Sequence, residues 1–168
     1  SIRNGEVEHT GIIPYIQTYE RLVKETVQNG IRGGSATVFL PFFHMQIKDY
    51  IVLKNNKGTD ENRARKLDYT VKCSKLLYER AIKGEKITLF SPRDVPELET
   101  SFGLPEFDSL YKAAEKRKGI RKVKIDAMQL LTDIALERTT TGRLYILNVD
   151  HANSHGAFLE QIVMSNLC

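Results

Sequence analysis

No apolar run in the 168-residue sequence approaches the roughly 18 residues of a membrane span. The opening stretch, Ser1–Thr10, is polar and charged, unlike a secretory signal peptide. Cysteine is scarce. Cys73 and Cys168 are the two present, which gives no disulfide framework and makes a reducing cytoplasm the expected compartment. There is no internal repeat, low-complexity tract or linker. The densest basic run, Lys116–Lys124, has no aromatic residues interleaved for base stacking. It reads as a solvated helix–loop–helix junction, so direct nucleic-acid binding is not expected. What remains has the balance of a globular protein, 41% hydrophobic and 27% charged, long enough for one domain with a real core. A net charge of +4 mildly favours anionic ligands.

The distinctive stretch is Gln28-Asn-Gly-Ile-Arg-Gly-Gly-Ser-Ala-Thr-Val-Phe-Leu-Pro41, in which Gly30, Gly33 and Gly34 surround Arg32. Glycine permits positive φ and close backbone approach, and a guanidinium fork suits phosphate or carboxylate. Phosphate cradles of the P-loop and dinucleotide kinds run strand to loop to helix. Here the order is reversed, which argues against both. A helix stop followed by a tight turn is the plainer reading.

Periodicity predicts a helix over Ile13–Val27, with Pro14 in its first turn, then a strand over Ala36–Leu40. Ile47, Tyr50 and Ile51 predict a second helix. Leu67, Val71, Leu77 or Tyr78, and Ala81 or Ile82 predict a third, with Cys73 as a half-buried structural thiol inside it. Lys86–Phe90 reads as a strand, and Asp94-Val-Pro-Glu97 has the form of a capping box. Further helices are predicted through Phe107–Ala114 and Val123–Ile134, then a strand over Arg143–Val149. Strands separated by helices indicate an α/β fold with parallel pairing. Asp150–Cys168 shows no clear period and reads mainly as loop.

Asp150-His-Ala-Asn-Ser-His155 follows the last strand, where α/β proteins often place function. His151 and His155 have helical metal-ligand spacing, but the stretch lacks a helical pattern and the intervening Glu of zinc proteases. No metal site is expected. A metal-dependent hydrolase using these histidines is a rival that stoichiometric bound metal would support. Asn166 and Cys168, two apart, share a face if the segment is extended, so an amide would orient something held beside a thiol.

Seven segments carry a resemblance. They are His9-Thr-Gly-Ile-Ile-Pro-Tyr, Gly30-Ile-Arg-Gly-Gly-Ser-Ala-Thr, Val52-Leu-Lys-Asn-Asn-Lys-Gly and Asn62-Arg-Ala-Arg-Lys-Leu-Asp-Tyr, followed by Ile87-Thr-Leu-Phe-Ser-Pro, Thr141-Gly-Arg-Leu-Tyr-Ile-Leu-Asn-Val-Asp-His and Ser165-Asn-Leu-Cys. In order and spacing the chain resembles the large catalytic subunit of class I ribonucleotide reductase over its whole length. The resemblance implies part of that family's ten-stranded α/β barrel, with residues 1–168 an incomplete internal segment of the catalytic domain. It implies that Cys168 becomes the thiyl radical acting on a ribonucleoside diphosphate, and that Asn166 hydrogen-bonds the substrate ribose. Gln28, Gly30, Arg32 and Gly33 match the loop linking effector to substrate, with Arg32 able to meet both. Ile2 and Arg3 match the loop holding dNTP or ATP effectors, and the helix Ile13–Val27 matches one packing two large subunits together.

Further implied partners are a metal-containing small subunit that supplies the radical, and thioredoxin or glutaredoxin as reductant. No membrane partner is implied. The family's acid/base glutamate, reducing cysteine pair and radical-pathway tyrosines have no counterparts in this sequence. The chain therefore looks cut, and alone it is expected to lack reductase activity and to aggregate or stay partly unfolded. Its terminal serine and cysteine suit intein borders, in which case Cys168 belongs to an insertion. A non-catalytic nucleotide-binding and dimerisation segment, with Arg3 and Arg32 as anion contacts, is the alternative function.

Overall fold

The computed structural model describes residues 11–27 and 30–166. Ile2, Arg3, Gln28 and Cys168 lie outside the described residues.

Helix α1 (Ile13–Glu25) carries Pro14 in its first turn and Lys24 in its last, each suited to the backbone groups there. Its apolar residues form two faces rather than the single stripe expected. Ile16 is buried, and Ile12, Ile13 and Val23 pack against the core, whereas Tyr15, Tyr19 and Leu22 are each more than half exposed.

Three strands form a parallel sheet in the order β1 (Thr37–Pro41), β2 (Asp68–Cys73), β5 (Leu144–Asn148). Thr37 faces Asp68 and Pro41 faces Lys72, while Tyr69 faces Leu144 and Cys73 faces Asn148. Strands β3 (Lys86–Phe90) and β4 (Lys122–Asp126) pair antiparallel. The chain leaving β1 joins the two groups. Phe42 N–H donates to Lys72 O at 2.9 Å, Phe90 N–H donates to Phe43 O at 2.7 Å, and Met45 N–H donates to Phe90 O at 2.9 Å. The α/β class holds, and parallel pairing holds for the central sheet but not for β4.

Three predicted elements are corrected. The third helix is in fact strand β2 followed by helix α3 (Lys75–Ile82), so Cys73 ends a strand. Tyr69 to Cys73 are all buried, because β2 is covered on both faces. Lys72 is accommodated there by Glu99, at 2.7 Å, and by the Phe102 ring. Residues Lys122–Asp126 form β4, so the basic run is a helix–loop–strand junction. Arg117 in it bonds Glu97 and Lys122 donates to two carbonyls. Helix α6 (Ala127–Thr141) begins only after Asp126, whose carboxylate accepts Gln129 N–H at 2.8 Å, and ends at left-handed Gly142. Finally, Val149–His155 is helical (α7) rather than loop. The short helix α4 (Pro96–Thr100) starts at its proline with no side-chain cap, so Asp94 does not form a capping box. Helices α2 (Ile47–Ile51) and α5 (Phe107–Lys116) fall where periodicity puts them.

The core centres on rings from the post-β1 turn, α5 and the loop before it. Phe42, Phe43, Phe102, Phe107 and Tyr111 pack with centroids down to 4.7 Å apart. The Tyr111 hydroxyl accepts Thr88 N–H at 2.8 Å and donates to Thr88 O at 2.7 Å, acting as a strand partner for β3. Tyr111→Phe therefore strands a buried N–H and C=O. It should cost about 1–3 kcal/mol, read as a lower urea midpoint at unchanged slope.

Candidate functional site

The C-terminal ends of β2 and β5 meet where Cys73 faces Asn148. Cys73 is fully buried, not half-buried, and burial pushes its thiol up to about 12 despite a hydrogen bond with Tyr78. The Tyr78 hydroxyl also donates to Asn148 Oδ1 at 2.7 Å. A thiol held in its protonated form is no nucleophile, so Cys73 is structural. Just beyond, Asp150 on α7 caps α3 from another element, its Oδ2 accepting Lys75 N–H at 2.6 Å. Ser74, the residue in the cap position of α3, leaves its buried hydroxyl without a hydrogen-bond partner.

Because α7 is helical, His151 and His155 do share a face, with ring centroids 5.0 Å apart. They line a cavity of about 480 Å³ with Lys75, Leu104, Asp108 and Asp150. Burial raises the Asp108 carboxyl above its ordinary value. Among the described residues, no group of three or more His, Cys, Asp or Glu converges to hold a metal ion.

After α7 the chain turns at Gly156, whose backbone lies so close to Ala152 O that an added Cβ would sit 2.6 Å from it. Residues 157–166 then run without regular secondary structure to Asn166, which is exposed. The amides of Asn153 and Gln161 tie residues 161 and 162 of this run. Asn153 Nδ2 donates to Ile162 O at 3.1 Å and to Val149 O at 2.8 Å, while Asn153 Oδ1 accepts Ile162 N–H at 2.7 Å. Gln161 Nε2 donates to Phe102 O at 3.0 Å and to Thr100 O at 3.3 Å. Gly103 makes room for the first of these. It has φ +90°, and a Cβ there would lie 2.5 Å from Val149 Cγ1 and 2.7 Å from Asn153 Nδ2.

The glycine loop between α1 and β1 is exposed from Gly30 to Ser35. Its glycines differ in purpose. Gly34 packs on the end of α1, where a Cβ would come within 2.2 Å of both Val23 O and Thr26 Oγ1. Gly30 has φ +68° and open space around it, as does Gly33 at ordinary φ. Arg32 stands in this exposed segment with its own backbone in a β-bridge. Gly30, Arg32 and Gly33 lead into β1, whereas Asn166 follows α7, so the four described site residues stand on two separate segments. Asp150 and Asn153 fall in the stretch after β5 that the sequence marks as a candidate, but their roles, like those of Gln161 and Gly103, carry no periodic signal.

The sequence that folds into this parallel α/β sheet with an added antiparallel pair has counterparts among known proteins. The family model for the ribonucleotide reductase barrel domain matches residues 1–168. The chain is 46% identical to ribonucleoside-diphosphate reductase 1 subunit alpha of Escherichia coli K12, covering 99% of this chain and 23% of that protein. It is 51% identical to the ribonucleoside-diphosphate reductase subunit alpha of Buchnera aphidicola subsp. Baizongia pistaciae, and 43% identical to that of Enterobacteria phage T4, with similar coverage. The chain belongs to the ribonucleotide reductase barrel-domain family. It spans about a quarter of the length of these relatives.

Two outcomes follow. Gly103→Ala should destabilise the protein well beyond Gly84→Ala, which meets open space and incurs only left-handed strain of about 1–2 kcal/mol. Comparing the two unfolding midpoints checks this. In a Cys168→Ser variant, a thiol reagent at pH 8 should label Cys73 only after unfolding; labelling of that native variant at the rate of a free thiol would contradict the burial of Cys73.

Proposed function

We propose that this chain is the part of a ribonucleoside-diphosphate reductase alpha subunit that carries the radical cysteine, Cys168, and the substrate-selecting loop around Arg32. The observation that carries the reading is the identity with reductase alpha subunits along essentially the whole chain. The geometry supports it by tying residues 161 and 162, which lead to Asn166 and Cys168, back to α7 and to the end of α4.

In this reading a thiyl radical at Cys168 takes the hydrogen from C3′ of a ribonucleoside diphosphate, becoming a thiol. The carbon radical labilises the 2′-hydroxyl, which leaves as water. A cysteine pair then supplies two electrons and becomes a disulfide, and the hydrogen returns to C3′ from Cys168. Asn166 holds the ribose. This chain has two cysteines, one of them buried and inert, so the pair belongs to the remainder of the subunit. Thioredoxin or glutaredoxin would restore the pair, and a metal-containing small subunit would generate the radical.

The loop from Gly30 to Gly33, with Gln28, answers to dNTP or ATP effectors held near Ile2 and Arg3. Its open glycines allow alternative conformations, while Gly34 keeps it registered to α1. The outward face of α1, Tyr15, Tyr19 and Leu22, suits contact between two alpha subunits. The assembly would act in the cytoplasm; among the described residues no helix is long and apolar enough to cross a membrane.

In the assembled enzyme, Cys168→Ser should abolish turnover and leave effector binding intact. Retained turnover would remove Cys168 from the chemistry, as an intein border would. Arg32→Ala should disturb effector-directed substrate choice more than effector affinity. Equal losses in both would reduce Arg32 to an anion contact. The 168-residue chain alone should show no turnover.

A further inference from the structure

We propose that Asn153 is a positioning residue for the radical site, holding Ile162, and with it the chain that leads on to Asn166 and Cys168, against helix α7. The inference rests on the thiyl-radical reading above. Its basis is the form of the contact. The Asn153 amide pairs with both the N–H and the C=O of Ile162, as a neighbouring strand would, at 2.7 and 3.1 Å. Its Nδ2 also donates to Val149 O at 2.8 Å, so the amide is itself fixed to the residue that directly follows β5. Both donor hydrogens and the acceptor oxygen are thus used. Aspartate would lose both donors, and alanine would lose everything.

The fit is tight on the other side. Asn153 Nδ2 occupies the place next to Gly103 that any side chain there would invade. Gln161 adds a second tie, to Phe102 O and Thr100 O, so two consecutive residues are held from different directions. Nearby Phe158, Leu159 and Met164 are each more than half exposed and contribute little packing. The two amides thus tie residues 161 and 162 of the run to α7 and to the chain after α4. Ile162 lies six residues before Cys168, a reach of at most about 20 Å of extended chain. Hydrogen transfer needs reacting atoms held near 3–3.5 Å, and a misplacement of about 1 Å can lower a rate about 100-fold. A slack anchor at Ile162 would be felt at the sulfur.

The test compares Asn153→Ala with the parent in the assembled reductase, reading amide exchange at Ile162 together with kcat, KM and effector affinity. The expected result is exchange at Ile162 faster by at least about tenfold and kcat lower by about 100-fold, with KM and effector affinity within about twofold. Unchanged exchange at Ile162, or faster exchange with unchanged kcat, would overturn the proposal. Should Asn153→Ala fail to fold, Gln161→Ala, at an exposed position, carries the same expectation for kcat against KM. The exchange readout does not depend on chemistry. If Cys168→Ser retains turnover, the radical reading fails on its own, whatever Ile162 shows.

Discussion

Strand β2 is bonded to a parallel neighbour on each side and buried on both faces, and the rest of the structure is arranged to make that tolerable. A strand in this position has no water to fall back on, so its polar groups need protein partners. Tyr50 supplies one, its hydroxyl accepting Thr70 N–H at 3.0 Å and lying 2.6 Å from Val38 O. Glu99 and the Phe102 ring supply another for Lys72. Lys54, which bonds Asp68 and Leu67 O, closes the start of the strand. The aromatic cluster then fills the space beyond Phe42, where the chain passes from β1 toward β3.

The same device appears three times in different dress. Tyr50 at β1 and β2, Tyr111 at β3 and Asn153 at Ile162 each present a polar side chain to backbone N–H and C=O groups. Each saves a buried or semi-buried backbone pair from going unmade. At the first two positions the result is a stable sheet. At the third, beyond the C-terminal ends of β2 and β5, the result is a defined path for an otherwise irregular segment. The glycine loop contrasts with it: Gly34 is pressed against α1, and Gly30 and Gly33 are left in open space. One segment suits a fixed reacting group, the other a responsive one.

Much of this was legible in the residues. Period and stop signals locate α1, β1, α5 and β5 closely, and the ordered motifs point to the family. What failed has physical reasons. Leu67, Val71 and Leu77 mimic a 3.6-residue period, so a fully buried strand with Lys72 inside it resembled a helix. Val123 and Ile125 alternate with lysines as a strand should, but Val123 also fits the period of α6. The signal that separates them is Asp126 with Gln129 three residues on, a capping pattern. Helix α7 buries only Val149 and so has almost no apolar period to read. Asn153 was beyond reach, since an asparagine in a polar stretch gives no sign that it will pair with a backbone nine residues later.

The most direct measurement is the structure of the complete alpha subunit with a ribonucleoside diphosphate bound. The account predicts Cys168 Sγ in contact with C3′, at about 3–3.5 Å, and the Asn166 amide bonded to a ribose hydroxyl, with the Asn153–Ile162 pair intact. A ribose bound elsewhere, with Cys168 turned away from it or absent from the mature chain, would contradict it.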